Sequence, residues 1–190
     1  MVRKPRTWYA SRRCISFQQG YITSYNRDSA MVSERLPRSH SILIRPISVD
    51  DATGLHARCW PDRPRDVVVG LLRRAEQLAR YRRGLGVTAV LSGQPCGFAL
   101  LTLWPRCAEI SDLIVSEPLR GQRIGSQLVE YLAAAARDLG ASVLEIGAAL
   151  SNPRAIALYR RLGFADGRII EIDLGSGPEP VLYLYRTLTP

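Results

Sequence analysis

The residues from Leu113 to Gly125, LIVSEPLRGQRIG, have the types and the spacing to hold a phosphate. Leu113, Ile114 and Val115 end an apolar strand, Pro118 interrupts the chain, and Arg120, Gly121, Gln122, Arg123, Ile124 and Gly125 open a helix that runs on through Ser126. The first amides of a helix have no internal acceptor, and the helix dipole places partial positive charge beside them. A glycine-bearing turn in front of them gathers several N–H groups into one concavity, which suits a phosphate or pyrophosphate. Arg120 and Arg123 add charge of the same sign. An ordinary strand-to-helix loop with a glycine for its turn fits the same letters. The surrounding elements have to decide between the two.

At 190 residues, 46% apolar and 23% charged, the chain has the makings of one globular domain with a tail to spare. No run approaches the roughly 18 apolar residues that cross a bilayer, so no membrane partner is expected. Four scattered cysteines (Cys14, Cys59, Cys96, Cys107) and two histidines (His40, His56) lack the spacing of a zinc site or a disulfide framework. The expectation is no metal and a reducing, cytoplasmic compartment. The net charge of +9 is unevenly placed: residues 1–30 hold six cations against Asp28, a net +5, and the other 160 residues hold +4. Residues 1–40 show no sustained periodicity and are expected to form a basic, flexible extension to a domain spanning 41–190. An organelle transit peptide and a coding start placed too early, with Met31 as the true first residue, are two further readings of that stretch. One lysine against 25 arginines suggests a GC-rich coding sequence and favours a bacterial source.

Around the phosphate-suited loop the elements come in a definite order. SILIRPIS (41–48) reads as a first strand, and Val49 to Ala52 supplies the cap of a short helix reaching about Trp60. Asp66 is expected to cap a second helix with Val67, Leu71, Leu78 and Tyr81 near one apolar stripe, stopped by Gly84 or Gly86. Val87 to Leu91 and Cys96 to Leu103 form a hairpin around Ser92-Gly93-Gln94-Pro95, and Trp104-Pro105-Arg106 turns the chain into a strand over Cys107 to Val115. After the loop, Ile124, Leu128, Tyr131, Leu132, Ala135 and Leu139 keep helical spacing until Gly140. Ala141 to Ala149 is a buried strand. Asn152-Pro153 is an N-cap followed by a first-turn proline, and the helix they start runs to Gly163-Phe164. Two strands close the chain, Arg168 to Leu174 and Val181 to Leu188. The order β-α-α-β-β-β-α-β-α-β-β predicts an α/β (α+β) single domain: a mixed sheet of about seven strands with helices on both faces.

That order, with its loop after the fourth strand, is similar to the GNAT superfamily of acyl-CoA-dependent N-acetyltransferases. Three blocks carry the resemblance. AEISDLIVSEPLRGQRIG (108–125) resembles the family's cofactor motif: an Arg or Gln, two residues, Gly, one residue, then Gly or Ala. SNPRAIALYRRLGF (151–164) resembles its later motif, an Asn opening a helix with a Tyr seven residues on and Gly-Phe at the end. IRPISVDDA (44–52) is typical of its first strand and helix. The match spans about residues 41–188. It departs at the motif's first glycine, which is Arg123 here. An arginine is tolerable if only backbone amides meet the pyrophosphate, and strained if the position needs a positive φ. Tolerance is the expectation, because Gly121 and Gly125 remain.

The resemblance implies acetyl-CoA as acyl donor and an amine as acceptor, joined by direct attack without an acyl-enzyme. It also implies where the donor sits: pyrophosphate on the amides of Gly121 to Ser126, pantetheine along the Leu113–Val115 strand edge, and Asn152, which serves equally as a plain N-cap, against the pantetheine arm. An alkylammonium has a pKa of about 10, so a base is required at neutral pH. Glu109 is the first candidate, placed by alternation on one face with Ser111 and Leu113; Glu145 or a water chain are the others. The thiolate that leaves has a pKa of roughly 8.5 and needs a proton donor. Tyr159, two helical turns after Asn152, is that candidate. Some ribosomal-protein acetyltransferases carry a glutamate five residues before the motif asparagine; Gly147 stands there, against carrying over their substrate.

Two other classes compete. One is a GNAT-like module that binds acyl-CoA without catalysis, as a sensor or partner. The other is a nucleic-acid binder using the basic tail and Arg73, Arg74, Arg80, Arg82 and Arg83. It lacks a recognition motif and aromatic interleaving, so no specific nucleic acid is expected. Small amines and protein N-termini are both open as acceptors, as is a homodimer.

Overall fold

In a computed structural model of the chain, the structure describes residues 42–173 and 177–188. The expected extension over 1–40, the expected domain start at Ser41, the expected strand end at Leu174 with Gly175 and Ser176 after it, and the last two residues of the expected domain lie outside the described residues. Within them runs one seven-stranded sheet in the order β1-β2-β3-β4-β5-β7-β6. The strands are β1 (Leu43–Pro46), β2 (Gly84–Leu91), β3 (Gln94–Trp104), β4 (Cys107–Val115), β5 (Val143–Ala149), β6 (Ala165–Asp173) and β7 (Pro178–Thr187). The helices are α1 (Ala52–Cys59), α2 (Arg65–Arg80), α3 (Ile124–Asp138) and α4 (Pro153–Arg161). Every pairing is antiparallel except β4 with β5. That single parallel junction is where α3 crosses over, as a parallel pair requires.

Turn chemistry explains most of the boundaries. β2 and β3 are joined through Ser92 and Gly93 alone, both at positive φ (50° and 76°), which fits a tight hairpin turn. The loop is therefore two residues long, shorter than the four expected, because Gln94 already pairs with Leu91. Gly140 (φ 85°) and Gly163 (φ 81°) end α3 and α4 in the left-handed conformation that favours glycine.

The first two helices differ in detail from expectation. Ser48 caps the 3₁₀ turn Val49–Asp51 in a reciprocal box with Asp51. Asp51 is buried and takes a bidentate pair from Arg45 at 2.7 and 2.8 Å. Pro64, not Asp66, stands at the N-cap of α2; Asp66 lies in the first turn, where its charge complements the dipole without a capping bond. The buried stripe is Val68, Leu72 and Ala75, whereas Val67 and Tyr81 are exposed. Gly84 does not stop the helix. It begins β2, and a Cβ there would stand 2.2 Å from the Leu101 carbonyl oxygen, so the glycine serves close strand packing.

Two cores cover the two faces. α3 and α4 bury Ile124, Leu128, Leu132, Ile156 and Tyr159 against Ala99, Leu101, Ile110, Leu144, Ile146 and Leu184. On the opposite face α1 and α2 bury Leu55, Trp60, Val68, Leu72 and Ala75 against Phe98 and Leu100. The β5–β7–β6 half of that second face carries a smaller cluster of Ile172, Val181 and Tyr183. Arg186 of β7 ties the first core together: it reaches Glu130 of α3 at 2.8 and 3.2 Å, donates to the Leu162 carbonyl at 2.8 Å, and lies over the Phe164 ring.

Candidate active site

β4 and β5 pair from Cys107–Val143 to Ile110–Ile146, and there the pairing stops although both strands continue. The cause is local. Between the pairs Leu100–Ser111 and Phe98–Ile114, β3 advances two residues while β4 advances three. The extra residue makes a bulge, and Asp112 takes a left-handed φ of 53° within it. Beyond the bulge β4 bends away: Ile114 and Val115 keep Phe98 and Gly97 of β3 as partners, and Leu113 to Val115 have no β5 partner on the other side. A wedge opens at the parallel junction, with an unpaired strand edge along one wall.

The bulge also corrects the expected alternation. Glu109 and Ser111 do share a face, but Leu113 packs into the α3–α4 core and Ile114 into the α1–α2 core. One inserted residue reverses every side chain after it. Glu109 and Leu113 therefore face opposite ways.

The loop at the mouth of the wedge runs from a 3₁₀ turn (Glu117–Leu119) through Arg120 and Gly121 to Arg123 at the N-cap of α3. Among the described residues, none of the amides from Gly121 to Ser126 donates to a backbone carbonyl; the first that does is Gln127, to Arg123 at 3.0 Å. Six successive donors at the positive end of a 15-residue helix form a cradle for an oxyanion. Arg123 has φ 62° and ψ 8°, so the position does call for a left-handed residue, contrary to the expected tolerance, at a cost of about 1–2 kcal/mol for a non-glycine. Arg120 is turned back on its own loop, with Nε 3.3 Å from the Val115 carbonyl oxygen and Nη1 3.7 Å from Glu117. A methyl group on Gly125 would stand 3.5 Å from Leu158 and 3.9 Å from Val115, so α3, α4 and the end of β4 converge here.

α4 opens from the far wall. The Asn152 oxygen accepts the Ala155 amide at 3.2 Å, which makes it an N-cap and leaves its side-chain NH₂ able to donate elsewhere. Tyr159 is 5% exposed, with its ring 6.2 Å from that of Phe164. Burial alone pushes its phenol up to about 12, so it is a neutral donor at any physiological pH.

On the opposite face, Glu109 and Glu145 are register partners across the parallel junction. Arg168 of β6 binds Glu145 through two contacts of 3.1 Å. Glu109 accepts instead from the Tyr183 hydroxyl at 3.2 Å. Burial raises the Glu109 pKa above the usual glutamate range, and the nearby Glu145 charge adds to this; hydrogen bonds from Tyr183 and Trp104, and the Arg168 charge, oppose it. Tyr183 and Arg168 had no expected role. The alternation of Tyr183 and Tyr185 with Leu182 and Leu184 is visible in the sequence, but that β7 lies beside β5 is not. Cys59 and Cys96 are free thiols, and among the described residues no group of His, Cys, Asp or Glu is placed to hold a metal ion. No described helix is long and apolar enough to cross a membrane.

A seven-stranded mixed sheet whose one parallel junction opens onto the amides of a helix start defines an acyltransferase fold. The family described as "Acetyltransferase (GNAT) family" matches residues 47–164, and the chain belongs to it. An uncharacterised N-acetyltransferase, YvbK, of Bacillus subtilis is 36% identical over 92 residues, 48% of this chain and 57% of that protein. The peptidyl-lysine N-acetyltransferase YjaB of Salmonella typhimurium is 36% identical over 102 residues, 53% of this chain and 63% of that protein. The matched stretch thus spans less than two thirds of these relatives' own length. Among solved structures, yncA of Salmonella typhimurium, determined with its cofactor acetyl-CoA, superposes with a TM-score of 0.63 at 20% identity, covering 79% of this chain and 95% of that one.

Proposed function

We propose that the protein is an acetyl-CoA-dependent N-acetyltransferase that acetylates a primary amine by direct attack in a ternary complex. The observation that carries this reading is the wedge between β4 and β5, whose unpaired edge leads straight to the free amides from Gly121 to Ser126. Acetyl-CoA supplies the activated acyl group as a thioester. Its diphosphate fits the amide cradle, with Arg123 adding charge, and its pantetheine amides fit the Leu113–Val115 edge, where backbone donors and acceptors have no β5 partner. Asn152 has a side-chain donor to spare for the same arm.

Glu109 takes the proton from the incoming ammonium. Its raised pKa suits this, because a carboxylate of ordinary acidity is a weak base toward a group of pKa about 10. A backbone N–H near Val115 faces the charge that develops on the carbonyl oxygen. Tyr159 donates to the departing sulfur. One relative is named a peptidyl-lysine N-acetyltransferase, and peptidyl-lysine is one acceptor class for this chain to be tested against.

A thiol-release assay tests the reading: purified protein and acetyl-CoA against spermidine, free amino acids, a lysine-containing peptide, peptides with free N-termini and an aminoglycoside. Release above the amine-free rate with one of these classes supports it. A thioester left intact by all of them favours the non-catalytic acyl-CoA module.

A further inference from the structure

Tyr183 and Glu109 belong to strands that do not touch. β5 lies between β4 and β7, so the two backbones are separated by roughly 10 Å, twice the inter-strand spacing. A tyrosine on β7 reaches a carboxylate on β4 only by laying its ring across β5. The β5 residue opposite Tyr183 is Gly147. An added Cβ there would stand 3.4 Å from two ring carbons of Tyr183 and 3.2 Å from Val181 Cγ1, tighter than side chains normally pack. The missing side chain is the space the ring occupies. Arg168 lies with its guanidinium carbon 4.7 Å from the ring centroid, held there by its paired bonds to Glu145.

We propose that Tyr183, seated over Gly147 and held by Arg168, is a positioning residue that fixes the Glu109 carboxylate for proton transfer. The inference rests on the reading of Glu109 as the base. Its independent support is geometric: a phenylalanine would fill the same space and take the same cation, but only a hydroxyl reaches Glu109 Oε1. A half-buried carboxylate needs donors to keep one orientation, and this one has a donor delivered from two strands away. Burial and the adjacent carboxylate raise the Tyr183 pKa, so the hydroxyl stays protonated and donates.

The test is a titration of protein labelled with ¹³C at its glutamate carboxyls, with Glu109→Gln identifying the Glu109 signal. Tyr183→Phe keeps the ring and its cation but removes a bond that favours the charged carboxylate, so the Glu109 midpoint is expected to move to higher pH. Gly147→Ala, which displaces the ring while leaving the hydroxyl on it, is expected to move the midpoint the same way, with little further effect in the Tyr183→Phe background. A Glu109 midpoint identical in wild type and Tyr183→Phe overturns the proposal. Failure of the underlying reading looks different: Glu109→Gln would release thiol as fast as wild type with the lysine peptide or whichever amine of the screen is turned over, and the catalytic meaning of the contact would fall with it.

Discussion

Glu109 and Glu145 are neighbours across the parallel junction, yet among the described residues a guanidinium contacts only Glu145. Glu109, which lacks that contact, has its proton affinity raised. Burial comes first among the causes, and the Glu145 charge adds to it. Because the folded pKa is raised, the stability that protonated Glu109 contributes is present below the ordinary value of about 4.3 and is lost as pH rises through the folded pKa. Two outcomes are expected. The acidic limb of kcat/KM lies above the ordinary glutamate value. Glu109→Gln removes that limb and lowers turnover by about 10²-fold, while its melting temperature at pH 7 is equal to or higher than wild type. A pH–rate profile and a melting curve check both.

Among the described residues, no hydrogen-bonding or charged neighbour shifts the proton of buried Tyr159, which fits a donor reserved for a group that arrives with the substrate. Tyr159→Phe is expected to lower kcat by about 10²- to 10⁴-fold and to leave the Kd for acetyl-CoA within a factor of a few. Steady-state rates beside calorimetric affinities measure the two separately. Unchanged turnover would remove Tyr159 from the mechanism.

Asp112 sets the wedge. Aspartate enters the left-handed region more readily than most residues, glycine freely, and a β-branched residue poorly. Asp112→Gly should keep the bulge and bind coenzyme A as wild type does. Asp112→Val should favour a straight strand, weaken coenzyme A binding about tenfold or more, and cost about 1–2 kcal/mol of stability. Calorimetry and chemical denaturation of the two variants decide it.

Arg123 combines an unfavourable backbone with a favourable charge. Arg123→Gly relieves the left-handed strain, so stability should rise by about 0.5–1 kcal/mol. The same change removes a cation at the mouth of the cradle, so coenzyme A affinity should fall at low salt, with the difference shrinking as salt screens it. Denaturation and salt-dependent calorimetry on one pair of proteins test the opposed signs.

Much of this was legible in the sequence, because the punctuation is strong. Asn152-Pro153, Gly140, Gly163 and Ser92-Gly93 mark element ends by conformations that few other residues accept, and the order of strands and helices follows from them. The amide cradle is legible too, since any helix start after a strand leaves its first donors free. What was not legible depends on single residues or on pairing. Three successive valines, Val67 to Val69, allow the α2 stripe to be drawn one position off. The bulge at Asp112 adds one residue to a strand whose letters still alternate plausibly, so Leu113 was expected on the wrong face. The insertion of β7 between β5 and β6 is a fact of topology, and with it came Tyr183, whose partner lies 74 positions away in the chain.

The central claim is that the amides from Gly121 to Ser126 receive the diphosphate of a thioester donor. Isothermal titration of the purified protein with acetyl-CoA and with free coenzyme A tests it most directly. Both are expected to bind with one-to-one stoichiometry, and dephosphorylated pantetheine, which lacks the diphosphate, at least tenfold more weakly. No heat with either coenzyme, or equal affinity for pantetheine, would contradict it.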